Sequence, residues 1–496
     1  MNHRLVFRLL GILLLLEAMA MLVCAVFAHF DVVAGDAGAA AALLKSSGLT
    51  ILAGTLLVIA GGRHRAMKRI PKRDAVAVVG IGWLVSSAMG GLPYMLCAPG
   101  LNWAEALFES ASGFTTTGSS VFTVIEEWPR GILLWRSATQ WLGGIGILVL
   151  FVAVLSYLGL DSKSLFHNES SFRGGESGMA RIHDTALALV RIYLGISLAC
   201  ATGLHLMGLS WFNAVCHSMT AVSTGGFSPH SKSIGFYSDW GNGWLIELWI
   251  TIVMFLCSMN FLLYVVILRK NWKRFREEED ARWLLGIVAA FILIIAGGRA
   301  WHGDASFVSA LRDASFIVVT IVSTTGFGAA DYELWPAWCQ VMIGLLMLFG
   351  GCAGSTAGGA KIGRLIVFMK SAHHEIVRAF RPNQVFRLRV NGNSIGDDAR
   401  ARVMFFLSLY VFIGAFATVI IGFLEAGTGI SLETCGSAAL AALSNIGPGF
   451  GDVGPTDNFG HFREATQVFL AWLMILGRLE LFALLVLFFP SVWKKY

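Results

Sequence analysis

The chain has 496 residues, 56% of them hydrophobic and only 14% charged, with a formal net charge of +6. Soluble domains run nearer about 45–50% apolar and about 25% charged, so a soluble globular protein is excluded. A mean hydropathy of +0.69 fits a polytopic membrane protein, and this length holds roughly ten spans of ~20 residues.

Arg4 and Arg8 precede an apolar run that ends at Phe30. The run is too long for a signal-peptide core and has no small-x-small cleavage site, so it reads as a retained first helix. A second span is expected at 47–62, followed by the basic loop Arg63–Arg73. From there one pattern recurs four times: long helix, short amphiphilic segment, Ser/Thr-Gly turn, long helix. The long helices are expected at 75–96 and 131–158, at 185–208 and 244–268, at 282–297 and 337–370, and at 401–426 and 463–489. The short segments between them are Asn102–Phe114, Ser210–Ser228, Phe307–Gly328 and Ser431–Gly449.

The turns align as Phe114-Thr115-Thr116-Thr117-Gly118, Val222-Ser223-Thr224-Gly225-Gly226, Val322-Ser323-Thr324-Thr325-Gly326 and Leu443-Ser444-Asn445-Ile446-Gly447. Their last glycines lie 108, 100 and 121 residues apart. An internal repeat of this kind dictates the architecture. It divides the chain into two leading helices (1–72) and four repeats (73–180, 181–280, 281–395 and 396–496). The fold class is an all-α polytopic membrane protein, with two extra helices ahead of four pseudo-symmetric helix–pore loop–helix units around one ion pathway. Asn102 with Glu105 reads as a capping box, and Ser210, Ser306 and Ser431 are candidate caps for the other short helices. Each short segment is too short to cross ~30 Å of hydrocarbon, so it enters and turns back. Irregular backbone at that depth survives only inside protein or along a wet path.

With ten spans, both termini and all inter-repeat loops share one side. That side collects 28 of the 37 Lys and Arg, including the blocks Arg269–Arg276, Lys361–Arg402 and Lys494-Lys495. The positive-inside rule makes it cytoplasmic, and membrane topology explains the basic balance without a nucleic-acid partner. The eight cysteines are scattered, with no C-x-x-C pair, and read as small apolar packing residues. Trp103, Trp128, Trp240, Trp244, Trp335 and Trp338 fit an aromatic belt at the outer boundary.

Four short loops on one axis offer backbone carbonyls and Ser/Thr hydroxyls, hard oxygen ligands that replace the hydration shell of an alkali cation. Glycine lets those carbonyls turn inward, and helix C-termini aimed at the same place favour a cation. The residues thus point to a neutral pore for monovalent cations, with no enzyme chemistry and no cofactor. His373-His374-Glu375 lacks the spacing of a metalloprotease site.

On these motifs, joined by Ser112-Gly113 before the first turn, Phe227 and Phe327 after two others and Pro448-Gly449 after the fourth, the chain resembles the Trk/Ktr/HKT superfamily of potassium transporters, and its TrkH branch in particular. The resemblance covers nearly the whole chain. It implies K⁺ at a filter formed by Thr116, Thr117 and Gly118, Thr224, Gly225 and Gly226, Thr324, Thr325 and Gly326, and Asn445, Ile446 and Gly447. It further implies K⁺ uptake across a bacterial inner membrane, a homodimer, and a cytosolic nucleotide-binding regulatory subunit of the TrkA-like kind.

Two more features look like that family's gate. The segment 350–359 holds five glycines in ten residues, Gly350, Gly351, Gly354, Gly358 and Gly359. At ~1 kcal/mol each against alanine, no helix tolerates them freely, so an intramembrane loop is expected below the filter. The segment mimics a P-loop, but Lys361 falls one residue late and no strand precedes it. Arg478 lies in an otherwise mostly apolar helix, where a charge defaults to function. It is expected beside the glycine loop as a cationic barrier; the alternative is a structural lock with Glu480. A coupled K⁺/H⁺ or K⁺/Na⁺ symporter is the second functional reading, weakened by four parallel units and no intramembrane carboxylate in an obvious coupling position. Glu127, Asp239, Asp331, Glu333, Asp452 and Asp457 fall on the outer side, either concentrating cations or forming an ordinary solvated face.

Overall fold

A computed structural model describes residues 2–31, 37–62, 72–158, 178–381 and 387–489. Most of the basic loop at 63–73, most of the 161–184 connection and Lys494-Lys495 lie outside the described residues.

Two long helices lead the chain, α1 (His3–Phe30) and α2 (Ala37–Gly61). The second starts ten residues before the expected 47, because the alanine-rich run at 39–42 has the highest helix propensity of any residue type. Repeat one follows with α3 (Lys72–Gly90), α4 (Leu92–Leu96), the short α5 (Trp103–Phe114) and α6 (Arg130–Leu158). Repeat two has α7 (Gly178–Leu206), the short α8 (Trp211–Val222), α9 (Gly243–Ser258) and α10 (Phe261–Leu268). After the short α11 (Trp272–Glu277), repeat three comprises α12 (Glu279–Trp301), the short α13 (Phe307–Val322), α14 (Ala337–Met347) and α15 (Ile362–Phe380). Repeat four comprises α16 (Asp397–Leu424), the short α17 (Leu432–Ser444), α18 (Glu464–Arg478) and α19 (Phe482–Leu485). The strands among the described residues are one antiparallel pair, Arg389–Val390 with Asn393–Ser394.

Seven described helices are long and apolar enough to span a membrane, eight if the bent pair α9 and α10 counts as one. The expected count of ten includes the second helices of repeats three and four, which are interrupted. In repeat two the chain turns by 92°, where Asn260 starts a new helix by accepting the Leu262 N–H at 3.0 Å. In repeat three residues 348–361 form an extended loop between α14 and α15. In repeat four the expected 463–489 helix stops at Arg478, and Glu480 and Leu481 both take positive φ, 54° and 62°. Only the second helix of repeat one, α6, runs unbroken.

The outer surface is apolar as lipid requires: Leu16, Val23 and Val26 of α1 and Val411, Phe412 and Val419 of α16 are more than half exposed. Inside, one hydrophobic cluster joins α1 and α2 to repeats one and four, and a second joins repeats two and three. All eight cysteines are buried and free. The aromatic belt needs one correction. Trp103, Trp240 and Trp244 are exposed, but Trp128 and Trp335 are interior. Trp128 stacks on Phe122 with centroids 4.2 Å apart, and Trp335 carries the Arg299 guanidinium 4.3 Å above its ring.

Candidate functional site

Each short helix starts with a side-chain cap and ends in the same turn. Asn102 accepts from Ala104 N and Glu105 N while Glu105 bonds back to Asn102 N, the full capping box. Ser210, Ser306 and Ser431 each accept from the backbone N–H three residues on, at 3.3, 3.3 and 3.1 Å. At the other end Thr116, Thr224, Thr324 and Asn445 occupy equivalent left-handed positions, with φ of 52°, 55°, 56° and 54°. The next N–H bonds back to the helix in all four copies: Thr117 to Ser112 O, Gly225 to Thr220 O, Thr325 to Thr320 O and Ile446 to Ala441 O, at 2.8–3.0 Å. This six-to-one bond after a left-handed residue is the Schellman pattern, and it turns the chain out of the helix.

The glycines that follow, Gly118, Gly226, Gly326 and Gly447, have φ of 90°, 80°, 78° and 106°. A Cβ on Gly118 would overlap the carbonyl oxygen of Gly225, one on Gly226 that of Thr325, and one on Gly326 that of Ile446. A Cβ on Gly447 would come within 2.9 Å of Thr117 O. The contacts run from loop one to two, two to three, three to four and four back to one. Four non-adjacent stretches of chain therefore close a ring, with one carbonyl from each loop and a neutral lining.

Other groups hold the ring that the sequence reading passed over. Gln140 of α6 donates to Gly225 O at 2.6 Å and accepts from Phe227 N at 3.1 Å, filling the space that a side chain at 225 would take. The Gly225 carbonyl is thus partly engaged, unlike a free ligand. Arg136, one turn earlier on α6, forms a buried ion pair with Glu109 of α5 at 2.5 Å, and also donates to Ser228 O at 2.9 Å. Glu109 in turn accepts from Ser120 Oγ and Val121 N. Arg136 carries the same signal as Arg478, a cation inside an apolar span, and was legible on that ground.

Below the ring, two equivalent oxygens are buried without a partner, Thr116 Oγ1 and Asn445 Oδ1. The third equivalent, Thr324 Oγ1, accepts the Gly358 N–H at 2.6 Å. A Cβ on Gly358 would overlap Ser444 O, so the glycine-rich loop lies directly against the underside of the filter turns. Gly350 and Gly359 pack on one another's strand of this loop, Gly351 O accepts from Ile362 N, and Gly354 O accepts from Phe261 N at the bend of repeat two. Thr356 anchors the loop by donating to Val222 O and Cys257 O at 3.1 and 3.2 Å.

Arg478 reaches this loop: Nη1 donates to Thr356 O at 2.8 Å, while Nε and Nη2 are buried without partners. Glu480 bonds Arg364 instead. A second cation, Lys361, donates to Ala357 O at 2.6 Å and is 9% exposed. Lys361 therefore does not belong to the solvated basic block that begins there in the sequence, because its ammonium turns in to the glycine-rich loop.

The outer loops form a second closed belt. Glu126 of repeat one accepts from Ser231 N at 2.8 Å and from its hydroxyl. Gly235 N bonds Gly328 O at 3.0 Å, Tyr332 Oη bonds Gly449 O at 2.6 Å, and Phe459 N bonds Ser120 O at 2.8 Å. Glu333 accepts the Gly451 N–H at 2.6 Å, and Asp331 accepts from Glu333 N. Burial pushes the Glu126 carboxyl up, but Ser231 and His230 bring it below its ordinary value overall. Burial pushes Glu333 above its ordinary value against the pull of Gly451 N–H, with Asp331, Asp457 and Glu433 adding to the rise. Asp331, Glu333 and Asp452 thus brace the rim, since Asp452 also accepts from Thr434 Oγ1.

A membrane protein whose four re-entrant loops close one ring of carbonyls, without a charged lining, is built to pass cations. The chain belongs to the TrkH family of cation transport proteins, whose pattern matches residues 42–495. It is 34% identical to the Trk system potassium uptake protein TrkH of Halomonas elongata and 30% identical to that of Escherichia coli K12, each over the full length of both chains. The crystal structure of the potassium transporter TrkH from Vibrio parahaemolyticus superposes with a TM-score of 0.88 at 29% identity, covering all of both chains. The chain is a multi-pass transport protein and not an enzyme.

Proposed function

We propose that this chain takes up K⁺ across the inner membrane of a bacterium, through the carbonyl ring formed by Thr116–Gly118, Thr224–Gly226, Thr324–Gly326 and Asn445–Gly447. The ring of inter-loop contacts carries the reading. It sets four neutral oxygens around one axis, where they substitute for water on an alkali ion. The four short helices add their partially negative C-termini at the same point. The glycine-rich loop from Gly350 to Gly359 is the gate, and Arg478 is its cationic latch: an unpaired guanidinium beside the path repels K⁺ while the loop is in place. Opening moves the loop from under Thr324 and Asn445.

Both termini face the cytoplasm, by the one-sided distribution of basic residues. The working unit in this reading is a homodimer, and a TrkA-like nucleotide-binding subunit on the basic cytoplasmic face moves the gate; likeness to Trk system proteins supports both. Coupled symport has no supporting observation.

Tracer flux in proteoliposomes under K⁺, Rb⁺, Na⁺ and Li⁺ gradients tests the reading. The expected result is K⁺ and Rb⁺ well ahead of Na⁺ and Li⁺, with the preference lost in Gly118→Ser. Equal K⁺ and Na⁺ flux in the wild type would refute it.

A further inference from the structure

Glu17 sits mid-way along α1 in an otherwise apolar stretch. The sequence reading passed over it when it found no intramembrane carboxylate in an obvious coupling position. It is 4% exposed, and its one polar neighbour close to bonding distance is the buried Ser86 hydroxyl of α3, with neither carboxyl oxygen in a hydrogen bond of full geometry. The side chain points inward, to Gly90 of α3. Oε1 lies 3.2 Å from the point where a Cβ on Gly90 would sit, and Ser110 Oγ of α5 lies 2.7 Å from the same point. That Ser110 hydroxyl is also without a partner, as is the hydroxyl of Ser87, one turn earlier on α3. A side chain at 90 would also strike the Phe114 ring, so glycine keeps this space clear. From behind, Trp135 of α6 donates to Gly90 O at 3.0 Å.

An ionised carboxylate left unpaired at this depth costs several kcal/mol. The charged groups of the elements packed around it are committed elsewhere. Arg136 pairs with Glu109, Arg130 of α6 pairs with Asp31, and Asp74 of α3 accepts from Asn2 N. Lys45 of α2 is exposed, and Cys24 of α1 and Tyr94 of α4 are neutral groups at ordinary pH. A proton resolves the imbalance, because a neutral carboxyl both donates to one orphan hydroxyl and accepts from another.

We propose that Glu17 is a proton-binding site, occupied at neutral pH, which ties α1 and α3 to the first pore helix through Ser110 and steadies the first filter loop. The helix α1 stands outside the four repeats, so the proton is held in place and does not travel with the ion. Losing it puts a bare charge beside Ser110, four residues before Phe114, where that loop begins.

Infrared difference spectroscopy of the full-length protein in lipid vesicles, wild type against Glu17→Gln, reads the carbonyl stretch of an un-ionised carboxyl and needs no transport assay. The expected result is a band present at neutral pH, missing from Glu17→Gln, shifted but retained in Glu17→Asp, and lost from the wild type as the pH is raised into the alkaline range. Over the same range wild-type Rb⁺ flux falls by about fivefold, the weight of one ordinary hydrogen bond, while Glu17→Gln stays level. Wild-type and Glu17→Gln spectra that superimpose overturn the proton site. A band accompanied by identical pH profiles of flux in the two proteins overturns its link to the pore helix.

Discussion

Thr116, Thr224 and Thr324 hold φ near 55°, a region where a β-branched residue is a genuine outlier. Each such residue stores roughly 1–3 kcal/mol of strain. Glycine would relieve that strain, but at Thr324 it would remove the hydroxyl that takes the Gly358 N–H of the glycine loop. The neighbouring filter glycines are required for a different reason, since a Cβ would strike the next loop's carbonyl at three of them and press on it at the fourth. Alanine substitutions should therefore rank. Gly226→Ala and Gly326→Ala abolish K⁺ preference, whereas Gly447→Ala, with 2.9 Å to Thr117 O, keeps a measurable part of it. Relative Rb⁺ and Na⁺ flux of the three variants gives the order, and a Gly447→Ala protein as unselective as the others would contradict the ring geometry. The four turns were legible because a polar turn ending in glycine recurs four times. The strained threonines were not, because local propensity argues against a β-branched residue at positive φ, and the six-to-one bond that closes each turn is not written in residue type.

Three of the four second helices break, each at an identifiable group. Asn260 caps a new helix in repeat two. Five glycines unwind repeat three. Arg478 and Glu480 seek polar partners in repeat four. Hydropathy announced only the glycine run, because the other two breaks lie inside apolar sequence and depend on partners far along the chain. The breaks meet: Gly354 O accepts from Phe261 N at the repeat-two bend, and Thr356 O accepts from Arg478 at the repeat-four stop. The loop is thereby clamped from both sides, with the single Thr356 hydroxyl proton shared between Val222 O and Cys257 O. Thr356→Val removes that shared bond, at about 1 kcal/mol, but leaves the carbonyl that Arg478 needs. Arg478→Ala removes the latch itself. Both variants should raise basal Rb⁺ flux in the absence of any partner, Arg478→Ala the more. A Thr356→Val protein that leaks while Arg478→Ala stays as tight as wild type would show that the arginine is a structural lock and not a barrier.

At the scale of the whole molecule, the four repeats are joined twice over, by the carbonyl ring in the membrane and by the belt of outer-loop hydrogen bonds. The belt places three of the outer carboxylates in bonding roles, which sequence position alone could not separate from a solvated acidic rim. Glu333 is the informative one, because it bonds repeat four through Gly451 N while crowded by Asp331, Asp457 and Glu433. Burial first, and then those like charges, raise its folded value above the unfolded one. Its contribution to stability is therefore complete below about pH 4, where an unfolded glutamate is protonated, and declines as the pH rises through the folded value. Glu333→Gln keeps an oxygen for the Gly451 N–H and removes the charge. Thermal unfolding in detergent should show the variant level with wild type near about pH 4 and the more stable of the two near about pH 7. The group is partly exposed and screened by solvent, so the gap is a fraction of a kcal/mol, no more than about 1–2 °C in Tm. It should also shrink in high salt, because the repulsion it removes is carried by half-exposed charges. A variant that is less stable than wild type at neutral pH would mean that the ionised carboxylate's bond to Gly451 outweighs the crowding, and that the rim is held by Glu333 as an anion.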